Sequence, residues 1–520
     1  MCMNFASLIT LLFMVCFFAI MLWIGLRARR HAGDIDGFVL GSRQVGPWLS
    51  AFAYGTSYFS AVIFVGYAGQ FGWNFGLAST WIGLGNAFIG SLLAWLILGR
   101  RTRIMTQHLS SKTMPDFFGT RYESPKLRTA ASLITFVFLI PYTASLYNGL
   151  SRLFAIAFPG VDYAVCVLLM AVLTGIYVIL GGYMATAWND FIQGIIMLFG
   201  IVAVIAAVLG DNGGLSLAME RLATGPTGGW QYASFLGADP MFLLFVVILT
   251  SLGTWGLPQM VGKFYAIKNE ASIQKGTVIS TLFAVVVAGG CYFLGGFGRL
   301  YDIDVQAEGF DAVVPRMLSS LPAVIIGIVI VLVLSASMST LSSLVLTSAS
   351  TMTLDLIAPR KKKPLRERGQ LLIMRGFVVL FIAVSALIAI KQARSRSLFI
   401  AQMMGVSWGA LAGAFLAPFL YGLYSKRATK LSAAVCFLWG VGLETVQLLI
   451  SLGALSVRGP LLSFVFKNSI YSGVIAMVGG LVLVPLVDLF ARRFRPVRVE
   501  DMFSAYREHR TVDITDNLGK

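Results

Sequence analysis

Three stretches of the chain gather side chains and backbone suited to holding a small hard cation. In Ser335-Ala-Ser-Met-Ser-Thr-Leu-Ser-Ser-Leu344, helical spacing sets Ser339, Ser342 and Ser343 on one stripe with Thr340 beside it, so two hydroxyl rungs stand one turn apart. The second stretch is Leu49-Ser-Ala-Phe-Ala-Tyr-Gly-Thr-Ser-Tyr-Phe-Ser60, followed by Gly66 and Gly69; the third is Ser251-Leu-Gly-Thr-Trp-Gly-Leu-Pro-Gln259. Both are apolar runs with natural points of unwinding, Gly55 because it has no Cβ and Pro258 because it has no backbone donor. Unwound backbone exposes carbonyl oxygens. Sodium is held by several neutral oxygens at short range, so the hydroxyls of the first stretch, facing freed carbonyls of the second, would form a cage for it. The bland alternative for any single Ser or Thr is a bond to its own carbonyl four residues back, or simple helix packing. It is the density of hydroxyls that favours the cage.

Two acids lie near apolar segments. Asp190 stands at the start of one, in Gly181-Gly-Tyr-Met-Ala-Thr-Ala-Trp-Asn-Asp-Phe-Ile-Gln193, and reads either as a functional acid at membrane depth or as a helix-start acid favoured by the dipole. Glu444 lies deeper, among Gly and Thr, and reads as a polar contact with no assigned role. His31, His108 and His509 all fall in polar connections, and the five cysteines form no CxxC pair. A metal, haem or intramembrane proton relay built on histidine is therefore not indicated, and no organic cofactor is expected. Without an intramembrane His, Cys or carboxylate pair, an enzyme is not indicated either.

The elements that must position these residues are membrane helices. The 520 residues are 57% apolar and 12% charged, with a mean hydropathy of +0.81, well above the apolar content of a soluble domain. Apolar segments fall near 5–26, 47–69, 77–98, 129–155, 161–181, 188–209, 240–258, 277–298, 321–357, 371–390, 398–424, 431–452 and 469–490. They lack the alternation of barrel strands, so the chain is expected to be an all-α polytopic membrane protein with about thirteen spans. The net charge of +17 does not point to nucleic acid, because the basic residues lie in short tracts between apolar runs. Alternate connections carry 31 of the 40 Lys and Arg, which places the N-terminus outside and the C-terminus in the cytoplasm of a cell-membrane protein. The loop Lys391-Gln-Ala-Arg-Ser-Arg396 is a basic exception on the outer side. No soluble domain interrupts the chain, and no obligate protein partner is inferred. The expected partners are the bilayer, a small solute and sodium.

Taken together, these stretches resemble the sodium/solute symporter family, which includes bacterial proline, pantothenate, sialic acid and sugar transporters. Gly41-Ser-Arg-Gln-Val-Gly-Pro-Trp48 and the following interrupted span resemble its first core helix, and Gly181-Gly to Gln193 resembles its GG…D..Q signature. Gly256-Leu-Pro-Gln-Met-Val-Gly-Lys-Phe-Tyr265 resembles its GQPH…RF segment, and Met338-Ser-Thr-Leu-Ser-Ser343 its eighth core helix. The resemblance covers nearly the whole chain. It implies a LeuT-type fold of five plus five inverted helices, with one extra helix before and two after. The regions would be an N-terminal helix and loop (1–46), a transport core (47–430) and C-terminal helices with a short tail (431–520).

The resemblance also implies sodium as coupling ion and assigns residues. A common sodium site would comprise Ala53, Thr56, Ala336, Ser339 and Thr340, and a second sodium present in some members would use Asp190 with Ser339, Ser342 and Ser343. Solute contacts would come from Tyr58, Phe59, Tyr142, Asn148, Trp255 and Trp408. Tyr142 resembles a tyrosine used by proline carriers, whereas the acid those carriers have in the first core helix is Gly55 here and their tryptophan before the GQP segment corresponds to Thr250. The expected activity is sodium-coupled symport of a small amino acid such as proline, or of a carboxylate metabolite. The alternatives are a proton-coupled carrier and a sodium-dependent sensor of the same fold that does not transport. An ion channel would call for pore-lining repeats or rings of charge, which this sequence lacks.

Overall fold

In a computed structural model describing residues 5–508, apart from 159, 364, 396–399, 492, 493 and 495, every regular element is helical. Among the described residues the one extended pairing is a bridge between Val45 and Ile267. Among the described residues, ten helices are long and apolar enough to cross a bilayer, or eleven if the bent pair Pro240–Gly256 and Pro258–Tyr265 is one span. This is fewer than the thirteen expected segments because neighbouring segments run on as one helix, 161–181 with 188–209 and the end of 47–69 with 77–98. Tyr163–Asp211 runs for 49 residues but turns sharply at Gly182, and Pro47–Tyr58, at 12 residues, is too short to span alone.

The serine-rich helix Ala323–Thr351 lies at the centre, packed against Tyr163–Asp211, Pro125–Ala157, Phe5–Ala28 and Pro47–Tyr58. Nearly all its residues from Val329 onward are buried, which explains why it reads as apolar and hydroxylic all round rather than as a one-sided stripe. By contrast Phe199, Leu372 and Leu438 project outward from their helices, as lipid-facing positions do.

Besides the turn at Gly182, two helices break at an extended residue. Pro47–Tyr58 stops at Phe59 (φ −83°, ψ 120°), and Pro240–Gly256 stops at Leu257 (φ −85°, ψ 121°) before Pro258–Tyr265 resumes at a bend of 47°. Leu257 is extended because the ring of Pro258 disfavours helical geometry at the residue before it. The expectation that Gly55 unwinds the first of these helices is corrected here. Gly55 stays helical, and its missing side chain makes room for Phe283, which a Cβ would meet at 2.5 Å.

Polar pins hold the ends of these helices and of their neighbours. Buried Arg43 donates to the carbonyls of Tyr265, Thr106 and Ser111 and to the Thr106 hydroxyl, tying the entry to the first broken helix to the exit of the second. Burial lowers its pKa to about 10, which leaves it charged at neutral pH. Arg128 bridges Asp355 at 2.8 Å and Asp116 at 3.2 Å, and Thr113 donates to the other Asp355 oxygen at 2.6 Å. The Asp355 side chain has no solvent exposure. Arg128→Ala is therefore expected to cost about 3–5 kcal/mol by stranding a buried carboxylate, seen as a lowered unfolding temperature of the purified protein. An unchanged melt would refute this.

Candidate cation and solute site

The break at Phe59 leaves carbonyls without amide partners, and the serine-rich helix supplies hydroxyls to them. The Ser339 hydroxyl lies 3.0 Å from the Thr56 carbonyl and 3.0 Å from that of Ala336. The Thr340 hydroxyl lies 3.2 Å from Thr56, 3.2 Å from Phe59 and 3.1 Å from Ala336 carbonyls. Both side chains are fully buried. These are five oxygen–oxygen contacts with two protons to share among them. Acceptor lone pairs are in excess, in a place closed to water. A monovalent cation among these oxygens would satisfy what two hydroxyl protons cannot.

Four of the five expected sodium residues, Thr56, Ala336, Ser339 and Thr340, are thus brought together. Ala53 is set slightly apart: its carbonyl accepts from the Ser57 hydroxyl at 2.5 Å. Phe59, expected as a solute contact, joins the cation cluster through its carbonyl.

The second expected set converges one helical turn along. Ser342 donates to the Ser339 carbonyl at 2.9 Å, while Ser343 Oγ lies 2.9 Å from Ser57 Oγ. Asp190, fully buried, faces the Lys263 ammonium at 3.4 Å, and the same ammonium donates to Ser343 at 3.0 Å. The ring of Tyr183 lies 5.3 Å from it. Asp190 thus lies inside Tyr163–Asp211, beyond the turn at Gly182, and not at a helix start. Sequence reasoning passed over Lys263 and Ser57. The sequence sets Lys263 in the connection after the apolar segment 240–258, where a basic residue reads as a topology determinant; Ser57 carried no signal beyond its type.

Of the solute candidates, Tyr142 and Trp408 meet edge to face at 5.9 Å, both buried. Trp408 packs beside Gly253, which precedes the second break. Trp255 is committed elsewhere, its indole donating to the Ile89 carbonyl at 3.0 Å. Asn148 accepts from the Tyr163 hydroxyl at 2.5 Å, which ties two helices together away from the other candidates. The side chain of Tyr58 lies outside the described residues, as do Arg396 of the basic loop and the tail from 509. Glu444 is buried against Gly409, whose missing side chain leaves space for its carboxyl group: a Cβ there would stand 2.5 Å from it.

Comparison with known proteins finds relatives over most of the chain. The osmoregulated proline transporter OpuE of Bacillus subtilis (strain 168) is 28% identical over 455 residues, covering 85% of this chain and 89% of the relative. The sodium/proline symporter of Escherichia coli (strain K12) is 27% identical over 463 residues, covering 86% and 89%. Among solved structures, a Na+-coupled sialic acid symporter in a substrate-bound outward-open state superposes with a TM-score of 0.72 at 17% identity, over 93% of this chain and 98% of that one. The model of the sodium:solute symporter family matches residues 38–440. With freed carbonyls and paired hydroxyls at its centre, the chain belongs to the sodium:solute symporter family.

Proposed function

We propose that the chain carries a small organic solute, an amino acid such as proline or a carboxylate metabolite, together with sodium by alternating access across the cytoplasmic membrane. The observation that carries this reading is the pairing of Ser339 and Thr340 hydroxyls with the carbonyls of Thr56 and Phe59 across the helix break. A cation there joins two helices that must separate for the site to open. Sodium thereby favours one conformation over another, which is what coupling requires.

In this reading the sodium ligands are Ala53, Thr56, Ala336, Ser339 and Thr340, with the Phe59 carbonyl added. Asp190, Ser342 and Ser343 form a second place for a cation. Tyr142 and Trp408, beside Gly253 and the breaks, are the foremost solute contacts, with Tyr58, Trp255 and Asn148 behind them. The architecture is thirteen spans with N-terminus outside and C-terminus inside: an N-terminal helix (1–46), a five-plus-five inverted repeat (47–430) and C-terminal helices (431–520). The near-identical backbone angles at Phe59 and Leu257 support the repeat, since inverted halves place equivalent breaks at equivalent helices. Two of the relatives are named for proline, which makes proline the first solute to try.

The test is uptake of labelled proline, and of a panel of amino acids and carboxylates, into proteoliposomes under an inward sodium gradient with potassium as control. Accumulation that needs sodium and ends when the gradient is collapsed is expected. Uptake indifferent to sodium but driven by a proton gradient would overturn sodium coupling, and the absence of any accumulation across the panel would overturn transport.

A further inference from the structure

The Lys263 ammonium sits where a second sodium would have to sit. It contacts Asp190 at 3.4 Å and Ser343 at 3.0 Å, two of the oxygen donors of the second cation place. Its side chain is only 5% exposed and that of Asp190 not at all. From Ser343 the hydrogen bonds run on to Ser57 and then to the Ala53 carbonyl, so the ammonium is connected to the helix Pro47–Tyr58, whose broken end serves Ser339 and Thr340. Ser343 lies four residues after Ser339 on one helix, hence a single turn from the first cation place.

Charge limits what can share this space. Among the described residues, Asp190 is the one carboxylate that pairs with Lys263. Sodium beside Asp190 together with a charged Lys263 would put two cations on one anion in a water-poor interior, with another sodium one turn away, and the repulsion there is poorly screened. The place therefore holds sodium or the ammonium, not both. Lys263, Ser343, Gln259, Tyr183, Lys112 and Thr113 line one cleft, so an ion could enter if the ammonium were gone.

We propose that Lys263 is a tethered cation that permanently fills the second cation place, so that this chain binds a single sodium where a two-sodium relative would bind two. This rests on the sodium-symport reading above. The position of the lysine adds a mechanical consequence. Lys263 lies on Pro258–Tyr265, the far half of the second broken helix, while Asp190 and Ser343 lie on two other helices. The ion pair thus clamps the broken helix to the serine-rich one without needing an ion from solution.

The experiment is equilibrium binding of radiolabelled sodium to the purified full chain in lipid nanodiscs, with no solute present. The expected counts are about one sodium per chain for wild type, about two for Lys263→Ala, and about one again for Lys263→Ala combined with Asp190→Asn, because only the freed carboxylate draws in the extra ion. Two sodium ions per wild-type chain would overturn the lysine assignment while leaving the first site intact. So would a folded Lys263→Ala protein that still binds one. If Lys263→Ala does not fold, Asp190→Asn alone decides: a count unchanged from wild type supports the tethered cation, and a fall by one overturns it. Failure of the sodium-symport reading looks different, since wild type would then bind no sodium and Thr340→Ala would change nothing.

Discussion

Thr340→Ala is expected to raise the sodium concentration for half-maximal uptake by roughly 10- to 100-fold, close to abolishing accumulation at ordinary sodium levels. The hydroxyl it removes is the only side-chain oxygen near the Phe59 carbonyl in this cluster and one of two near the Thr56 carbonyl. One oxygen contact to a charged partner is worth about 1.5–3 kcal/mol, and each ~1.4 kcal/mol is about tenfold in affinity. Two comparisons separate this from general damage. Thr340→Ser keeps the oxygen and should stay within about threefold of wild type, less than the ~1 kcal/mol effect of a lost neutral hydrogen bond. Ser337→Ala should be nearly silent, because the Ser337 hydroxyl bonds back to Val333 of its own helix at 2.7 Å and takes no part in the cluster. Measuring sodium dependence of uptake for the three variants decides the matter: Thr340→Ala and Ser337→Ala behaving alike would remove the site from this helix.

Gly182→Ala should be at least as damaging, for a reason that lies in the backbone. Gly182 has φ 52° and ψ −142° in the middle of the 49-residue helix, a conformation in which a side chain is strained by about 1–3 kcal/mol. A Cβ there would also stand 2.8 Å from the Phe38 carbonyl oxygen and 3.0 Å from the Phe38 Cα, and backbone cannot move aside cheaply. The turn at Gly182 restarts the helix so that Tyr183 and Asp190 meet Lys263. The expected result is a loss of at least about 3 kcal/mol when strain and clash add, read as poor yield of folded protein or uptake reduced more than tenfold. Gly376→Ala is the control: a Cβ there meets nothing within 4 Å, and in a helix interior alanine should stabilise by about 0.5–1 kcal/mol. Equal unfolding temperatures and uptake for the two variants would refute the role given to Gly182.

Where the helices break shows how far local sequence reaches. Pro258 announces its break, because the constraint on the preceding residue is covalent and local. Gly55 suggests a break that is not there; in the folded chain the same lack of a Cβ serves to seat Phe283, a residue more than two hundred positions away. A glycine is equally suited to both uses, and only the neighbour it meets decides between them. Asn148 is similar: its type suits a solute contact, but Tyr163 claims it.

By itself the sequence determined the membrane class, the all-helical fold and the hydroxyl rungs of Ser339, Thr340, Ser342 and Ser343, because apolar run length and helical periodicity are set by bonds and side chains close along the chain. Tertiary structure alone decided that Thr340 reaches Thr56 and Phe59 across some 280 positions, and that Lys263 lies between Asp190 and Ser343. These contacts depend on how four helices pack, and a side chain's type does not tell which distant oxygen its helix will bring to it.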